Sequence, residues 1–216
     1  MNAELQAELD PAAVAREHTQ QRARERFERV LHESEAVLQE SGLAGFSIPV
    51  LAERLGMTRG SVYAYFPTPY AILNELVSRH LAGLEALFLG RAQELVDLSW
   101  QEGIEVVVRQ AVNYHNQHPA ARLLILGGAV SDTSYRSLES LLKRLGNLAR
   151  QIWQVQGHEG AAINTKLDVF TLSVDIGVAC FRRSYFEHGE ITADYERAAV
   201  QAMRQFLQPY LEMLSK

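Results

Sequence analysis

Four side chains between Arg59 and Tyr65 could bind the surface of a nucleic acid. They combine one guanidinium with three hydroxyl groups: Arg59, Ser61, Tyr63 and Tyr65. Guanidiniums and hydroxyls hydrogen-bond to phosphate oxygens, and a guanidinium can also bind the edge of a guanine through two parallel hydrogen bonds. The chemistry that this segment offers is therefore DNA binding, provided that these side chains share the outer face of one helix.

The surrounding residues predict two short helices joined by a tight turn. Ser47 can cap the first helix, on which Leu51 and Leu55 lie four residues apart on one face. Gly56 can adopt the left-handed conformation that ends a helix, and Thr58 can cap the second helix. Two helices joined in this way form a helix-turn-helix.

The same arrangement also fits two core helices joined by a glycine turn, with no partner at all. The Leu-Ala-x-x-Leu-Gly pattern at residues 51–56 does not by itself separate the two interpretations. The residues that follow favour the helix-turn-helix, because Val62 and Phe66 take inward positions and leave the polar residues outside.

Residues 30–73 resemble the DNA-binding domain of the TetR/AcrR family of regulators. The residues that carry the resemblance are Gly42, Ser47, the run from Leu51 to Pro67, and Ile72. Within that run, Gly56–Phe66 follows the specific pattern Gly-x-x-x-Gly-Ser/Thr-apolar-Tyr-x-x-Phe. The signature covers about a fifth of the chain, and the remainder resembles the family in helix count, helix lengths and total size.

The resemblance implies that Thr58 to Tyr65 form a recognition helix in the major groove. Gly60, which lacks a side chain, would let this helix lie close to the groove. Tyr63 would donate to a phosphate, and Arg59 would either bind a guanine or contact a phosphate. The predicted DNA-binding residues are Ser47, Thr58, Arg59, Gly60, Ser61, Tyr63, Tyr65 and Thr68.

Two departures from the family pattern concern the DNA backbone. Pro69 stands where the family usually has a lysine, although Thr68-Pro69 is still a sound helix start. Glu33-Ser34 replaces the usual Ala-Ala pair of the first helix. These changes predict weakened or altered phosphate contacts on an intact fold. Charge near the DNA could instead come from Arg22, Arg24, Arg26 and Arg29, which equally fit a solvated face paired with Glu25, Glu28 and Glu33.

Composition is that of an ordinary globular protein. The 216 residues are 47% hydrophobic and 22% charged, with a formal net charge of -5. Residues 1–68 hold seven arginines and no lysine against ten acidic residues, so only local pattern supports DNA binding. Cys180 has no cysteine partner, and we see neither a signal peptide nor an apolar run long enough to span a membrane. We therefore expect a cytoplasmic protein without membrane association.

The helix signals predict an all-α fold of about nine helices. Strand alternation is almost absent, whereas helical spacing recurs from Pro11 to the C-terminal end. Ser99 with Glu102 forms a capping box, Pro119 begins a short helix, and the last predicted helices span residues 160–188 and 192–214. The predicted domains are an arm or helix extension over 1–20, a three-helix helix-turn-helix domain over 21–68, and a larger helical ligand-binding and dimerisation domain over 69–216.

The last two predicted helices suggest a homodimer. The helix over residues 160–188 is apolar on more than one face, as expected of a helix buried on two sides. The predicted interface residues are Val174, Val178, Phe181, Ala199, Ala202 and Phe206. A dimer would place two recognition helices roughly 34 Å apart and so recognise a palindrome.

The middle helices mix apolar and polar residues, which fits either a ligand pocket or ordinary amphipathic helices. The predicted ligand-binding residues are Tyr114, His118, Arg122, Trp153, Asp168 and Thr171. His115 and His118 have a spacing that metal ligands use, but no Cys or carboxylate cluster joins them, so helix-end histidines are expected. Cys180 is expected to be a core thiol. We predict neither a metal nor a cofactor.

These features predict a ligand-responsive repressor that binds a palindromic double-stranded DNA operator as a dimer and is released by a small, largely apolar effector. One alternative keeps the DNA binding without a small molecule, as in a nucleoid-associated or partner-controlled protein. Another is an enzyme or scaffold on a helical bundle. The sequence contains no phosphate loop, paired carboxylates, nucleophile–base signature or metal set, so an enzyme is not expected.

Overall fold

The protein is described by a computed structural model over residues 11–156 and 167–212, with side chains described over 20–156 and 167–211. This part of the chain contains helices and no strand, which confirms the all-α prediction. The ten α-helices are α1 (Pro11–Ser41), α2 (Ile48–Leu55), α3 (Arg59–Tyr63), α4 (Pro69–Leu89), α5 (Ala92–Asp97), α6 (Trp100–Gln117), α7 (Pro119–Ala121), α8 (Asp132–Val155), α9 (Val169–His188) and α10 (Ala193–Glu212).

Local capping signals explain most of the helix starts. The hydroxyl of Ser99 accepts from the backbone N–H of Glu102, whose carboxylate accepts from the Ser99 backbone, so the predicted capping box is present. Ser131 caps α8 in the same reciprocal way with Ser134. Asp168 caps α9 through the backbone N–H of Thr171.

Two predicted helices differ from the structure. The segment predicted as one short helix after Pro119 is instead the single turn α7 followed by a π-helical segment, Arg122–Leu126, in which the hydrogen bonds skip one residue more than in an α-helix. Helix α9 begins at Val169. The predicted start of that helix at Gly160 lies outside the described residues.

The chain divides into two compact units, Met1–Ile72 and Leu73–Lys216. In the first unit, α1, α2 and α3 surround a core of fully buried aliphatic side chains: Val30, Val37, Ile48, Leu51 and Val62. Val62 is the only buried residue of α3, so α3 is attached to this core through that one side chain.

In the second unit, α9 packs between α8 and α10. Helices α8 and α9 approach closely at Gly146 of α8. Helices α9 and α10 approach closely at Gly177 of α9, where a β-carbon would meet the sulfur of Met203. The described helices include none that is both long and apolar enough to cross a lipid bilayer.

Candidate nucleic-acid interface and internal cavity

The turn between α2 and α3 has the conformation that its residues predict. Ser47 is extended, with φ -156°, and its hydroxyl accepts from the backbone N–H of Val50. Gly56 ends α2 with φ 62° and ψ 30°, a left-handed conformation that costs glycine no steric strain. The Ala52 carbonyl accepts from the N–H of Met57 at 2.9 Å and closes the turn.

Thr58 and Ser61 together cap α3. Thr58 Oγ1 accepts from the Ser61 backbone N–H at 3.2 Å and lies 2.8 Å from Ser61 Oγ. After α3, the backbone N–H groups of Tyr65 and Phe66 both donate to the Val62 carbonyl, so the helical path continues for another turn. The hydroxyls of Thr58 and Ser61, both predicted to bind DNA, therefore also stabilise the start of the helix that carries the other predicted DNA-binding side chains.

The outer face of α3 presents Arg59, Gly60 and Tyr63, all of which are exposed. The ring of Tyr63 is 46% exposed although it is large and partly apolar. Tyr65 is only half exposed, because its ring lies edge-on against Phe27 with 6.4 Å between the centroids. The aromatic ring of Tyr65 thus packs against α1, and the predicted contact of Tyr65 with DNA stays a prediction.

Gly60 faces open space. A β-carbon built on Gly60 would have Thr58 Oγ1, at 4.0 Å, as its nearest neighbour. Glycine in a helix costs up to about 1 kcal/mol relative to alanine. Packing within this unit would accept a side chain at Gly60, so nothing inside the subunit explains why glycine stands at this position.

Thr68 and Pro69 form the start of α4. Thr68 Oγ1 accepts from the backbone N–H of Ala71 at 3.2 Å, and Pro69 is the first residue of the helix. A proline at this position loses no intrahelical hydrogen bond. The departure at Pro69 therefore leaves the local fold intact, as expected.

The other departure, Glu33-Ser34, has a structural role. Ser34 is fully buried and donates to the Val30 carbonyl at 2.6 Å. Glu33 accepts from Arg54 Nε at 2.6 Å, and Arg54 Nη1 also donates to Glu40 at 2.6 Å, so α1 and α2 are joined by one guanidinium. The hydrogen bond from Arg54 lowers the pKa of the Glu40 carboxyl. Sequence spacing gave no signal for this contact, because Glu33 and Arg54 lie 21 residues apart.

The second unit contains a cavity of about 190 Å³ that is partly open to solvent. It is lined by helices α4 to α6, helices α8 to α10 and the π-helical segment. Its wall is formed largely by aliphatic and aromatic side chains, among them Phe88, Val108, Leu142, Phe170, Phe181 and Leu207. Both tryptophans of the chain, Trp100 and Trp153, also line it.

Of the six residues predicted to bind a ligand, only Trp153 lines this cavity. Tyr114 donates to the His80 carbonyl, and His118 stacks on Tyr114 with 4.3 Å between ring centroids. Arg122 donates to Asn116, whose side chain pairs with the backbone of Ile191. Tyr114, His118 and Arg122 are thus engaged outside this cavity, and their predicted role in ligand binding stays a prediction.

Asp168 and Thr171 are also engaged away from the cavity. Thr171 Oγ1 donates to Asp168 Oδ2 at 2.8 Å, and Arg150 Nη2 donates to Asp168 Oδ1 at 2.7 Å. Partial burial raises the pKa of Asp168, but the bonds from Thr171 and the charge of Arg150 outweigh it, and the net shift is downward. These residues form the cap of α9 and do not line the cavity, and their predicted role in ligand binding stays a prediction.

His115 also lines the cavity, although it was not among the predicted ligand-binding residues. It is 4% exposed, and its Nδ1 has no hydrogen-bond partner among the described residues. Burial lowers its pKa to about 3, and the charges of His80, Arg122 and His118 act in the same direction. His115 continues the buried face of Ile104, Val108 and Val112 along α6, and that periodicity is the signal that could have identified it.

The predicted dimer residues divide into two groups. Val174, Val178 and Phe181 line the cavity, and Ala199 is fully buried inside its own subunit. Val174, Val178 and Phe181 of α9 and Ala199 of α10 are therefore engaged within their own subunit, and their place in an interface stays a prediction. Ala202 and Phe206 are partly exposed, and their place in an interface stays a prediction.

The described residues contain no group of three metal-ligating side chains that could hold an ion. Cys180 is half-buried, and burial raises the pKa of its thiol above the ordinary value. A thiol shifted in this direction is not activated as a nucleophile. This agrees with the expected role of Cys180 as a structural residue.

A capped helix-turn-helix with an exposed second helix, followed by an all-helical unit with an internal cavity, defines a class of DNA-binding regulators. Residues 30–76 match the family model for bacterial regulatory proteins of the tetR family. The match covers the helix-turn-helix and the beginning of α4, about a fifth of the chain. No curated protein matches the chain significantly.

Several solved structures share the fold at low sequence identity. A TetR-family transcriptional regulator from Streptomyces coelicolor is similar with a TM-score of 0.62 and 18% identity, over 86% of this chain and 99% of that one. Thermus thermophilus FadR, a repressor solved with lauroyl-CoA, has a TM-score of 0.58 and 16% identity over 86% and 93%. SmeT, the repressor of the Stenotrophomonas maltophilia efflux pump SmeDEF, has a TM-score of 0.60 and 17% identity over 85% and 89%.

Proposed function

We propose that this protein is a ligand-responsive transcriptional repressor that binds a palindromic operator as a homodimer. The observation that carries the proposal is the outer face of α3, where Arg59 and Tyr63 project from a rigidly capped turn. An exposed aromatic ring beside an exposed guanidinium fits phosphate and base contacts. DNA as the partner implies a cytoplasmic protein.

The proposed DNA contacts fall into two kinds. Arg59 and Tyr63 reach outward, and Gly60 between them leaves clearance for a close approach to the groove. Ser47 and Thr68 accept backbone hydrogen bonds, so their hydroxyl protons remain free to donate to phosphate oxygens. Thr58 and Ser61 position α3, and Tyr65 contributes at most its hydroxyl.

The proposed dimer uses the outer faces of α9 and α10. Leu172 and Ile176 of α9 and Tyr210 of α10 are partly exposed, and Phe186 is 81% exposed. Exposed apolar side chains on two adjacent helices fit a four-helix interface with a second copy. Ala202 and Phe206 belong to the same proposed surface. The two-fold symmetry of such a pair matches a palindromic operator.

The proposed effector occupies the internal cavity. The similar FadR is a transcriptional repressor that was solved with lauroyl-CoA, and this supports a small-molecule effector for a protein of this fold. A ligand that binds better to the dimer conformation whose recognition helices no longer fit the operator shifts the population toward that conformation. The affinity for DNA then falls. The coupling free energy between an effector site and a second binding site is usually about 1–3 kcal/mol.

The test is a gel-shift titration of the full-length protein on palindromes upstream of its own and neighbouring genes. We expect specific binding that weakens steeply with salt. Arg59→Ala and Tyr63→Ala should each weaken operator binding by about 1 kcal/mol or more. Arg136→Ala is the matched control, because Arg136 is an exposed arginine of α8 paired with Asp132. Equal affinity for operator and scrambled DNA would rule the proposal out.

A further inference from the structure

The cavity wall carries no ionised side chain among the described residues. Every described residue that lines it is aliphatic, aromatic, methionine, glycine, serine, glutamine or neutral histidine. A charged ligand entering such a space loses its hydration and finds no opposite charge in return, which costs several kcal/mol. The wall therefore discriminates against carboxylates and ammonium groups.

Two polar side chains of the wall, Ser173 and Gln156, donate to main-chain carbonyls of other residues. The Ser173 hydroxyl donates to the Phe170 carbonyl at 2.9 Å. The Gln156 amide donates to the Leu95, Val96 and Leu98 carbonyls, at 2.6 Å in the last case, and so holds the end of α5. The amide hydrogens of Gln156 and the hydroxyl hydrogen of Ser173 are therefore not offered to a ligand.

His115 differs from these two residues. It lines the cavity, and its Nδ1 has no hydrogen-bond partner among the described residues. His80, His118 and Arg122 surround it with groups that disfavour a further positive charge. His115 is therefore a neutral imidazole, which offers one N–H donor and one nitrogen acceptor.

We propose that the cavity binds an uncharged, largely apolar molecule with a single hydroxyl or carbonyl group, which hydrogen-bonds to His115. A carbonyl would accept from the imidazole N–H, and a hydroxyl could either accept or donate. The volume of about 190 Å³ exceeds that of the ~150 Å³ engineered cavity that binds benzene, so a compact ring or a short alkyl chain fits. That this molecule is the effector rests on the proposed function.

The charge of the ligand is tested with three molecules of equal length: 1-octanol, octanoate and octylammonium. Trp100 and Trp153 are the only tryptophans of the chain and both line the cavity, so intrinsic fluorescence of the full-length protein reports its occupancy. At neutral pH we expect 1-octanol to bind and both ions to bind at least roughly a hundredfold more weakly. Octanoate or octylammonium binding as tightly as 1-octanol overturns the proposal, as does the absence of 1-octanol binding up to its solubility.

The role of His115 is tested by comparing 1-octanol with 1-chlorooctane, which has the same length and lacks the hydroxyl. His115→Leu and His115→Phe should each weaken 1-octanol binding by roughly three- to tenfold relative to 1-chlorooctane. Ser173→Ala is the matched control and should leave this ratio unchanged, because its hydroxyl already bonds within α9. An unchanged ratio in a folded His115 variant overturns the assignment of His115, and two variants are used so that one folding failure does not decide the test.

A separate measurement distinguishes this inference from the proposed function. If 1-octanol occupies the cavity while operator affinity stays constant, the effector role fails and the cavity assignment stands. If an ionic ligand both occupies the cavity and releases the operator, the repressor proposal stands and the cavity assignment fails.

Discussion

Gly146 of α8 lies directly against Thr171 of α9. A β-carbon on Gly146 would be 2.3 Å from Thr171 Oγ1 and 2.7 Å from the Thr171 backbone nitrogen. Thr171 cannot move aside easily, because its hydroxyl donates to Asp168, which in turn accepts from Arg150. The contact brings the backbones of two long helices together beside the cavity.

Gly146→Ala should therefore destabilise the protein. Overpacking of this kind typically costs about 1–3 kcal/mol of unfolding free energy, which urea denaturation measures directly. Gly103→Ala is the control, since a β-carbon there would lie 3.9 Å from Leu95 in ordinary contact. That change should be neutral or should stabilise α6 by up to about 1 kcal/mol. Equal stabilities of the two variants would contradict the close packing of α8 and α9.

Gly60→Ala should separate stability from DNA binding. The added methyl group enters open space, so the free energy of unfolding should stay constant or rise by up to about 1 kcal/mol. Operator affinity should fall, because the methyl group occupies the clearance between α3 and the groove. Urea denaturation and gel shifts on the same preparation measure both effects. A variant with unchanged operator affinity would show that Gly60 does not approach the DNA.

Phe186→Asp should weaken the proposed dimer. Phe186 is the most exposed large apolar side chain of the described residues, at 81%, and a carboxylate there would have to be desolvated at an interface. We expect at least a tenfold loss of self-association, measured by sedimentation velocity. Leu89→Asp at the end of α4 is the control, since Leu89 is 55% exposed but lies away from α9 and α10 in sequence. A dimer unaffected by Phe186→Asp would place the interface elsewhere.

His115 should make stability depend on pH. The folded state holds its pKa at about 3, through burial and the nearby His80, Arg122 and His118, whereas the ordinary value is 6.5. Between these values the unfolded state binds more protons, so the free energy of unfolding should fall as pH falls below about 6.5. The slope from this group alone is at most about 1.4 kcal/mol per pH unit.

His115→Leu removes that contribution. Its stability should therefore decline less steeply than that of the wild-type protein between about pH 7 and about pH 5, as urea denaturation at each pH would measure. All other titrating groups are shared by the two proteins, so the difference in slope isolates His115. Identical slopes would mean that the buried imidazole is protonated in the folded state.

The helix-turn-helix was predictable because its signals are local. Ser47, Gly56 and Thr58 each act on backbone groups within a few residues, and their effects do not depend on the rest of the chain. The same holds for the capping box of Ser99 and Glu102. The helix starts and the exposed position of Arg59 therefore followed from the sequence.

The cavity and its polar group were not predictable in this way. Tyr114, His118 and Arg122 have the residue types expected of a ligand site, but their partners come from α4, their own helix and the loop before α10. The periodicity of α6 could have predicted that His115 is buried, but only the packing of α6 against the other helices decides that its buried face borders a cavity. The face of α9 that lines the cavity was not predictable for the same reason, since a helix that is apolar on two sides does not show which side meets its own subunit.

The amino-acid sequence by itself determined where the capped helices begin and which short segment could meet DNA, because hydrogen bonds between near neighbours decide those features. The tertiary structure alone decided that Arg54 joins α1 to α2, that α8 and α9 touch at Gly146, and that His115 lines an otherwise apolar cavity. Each of these features depends on residues distant in the chain, whose meeting is fixed by how whole helices pack.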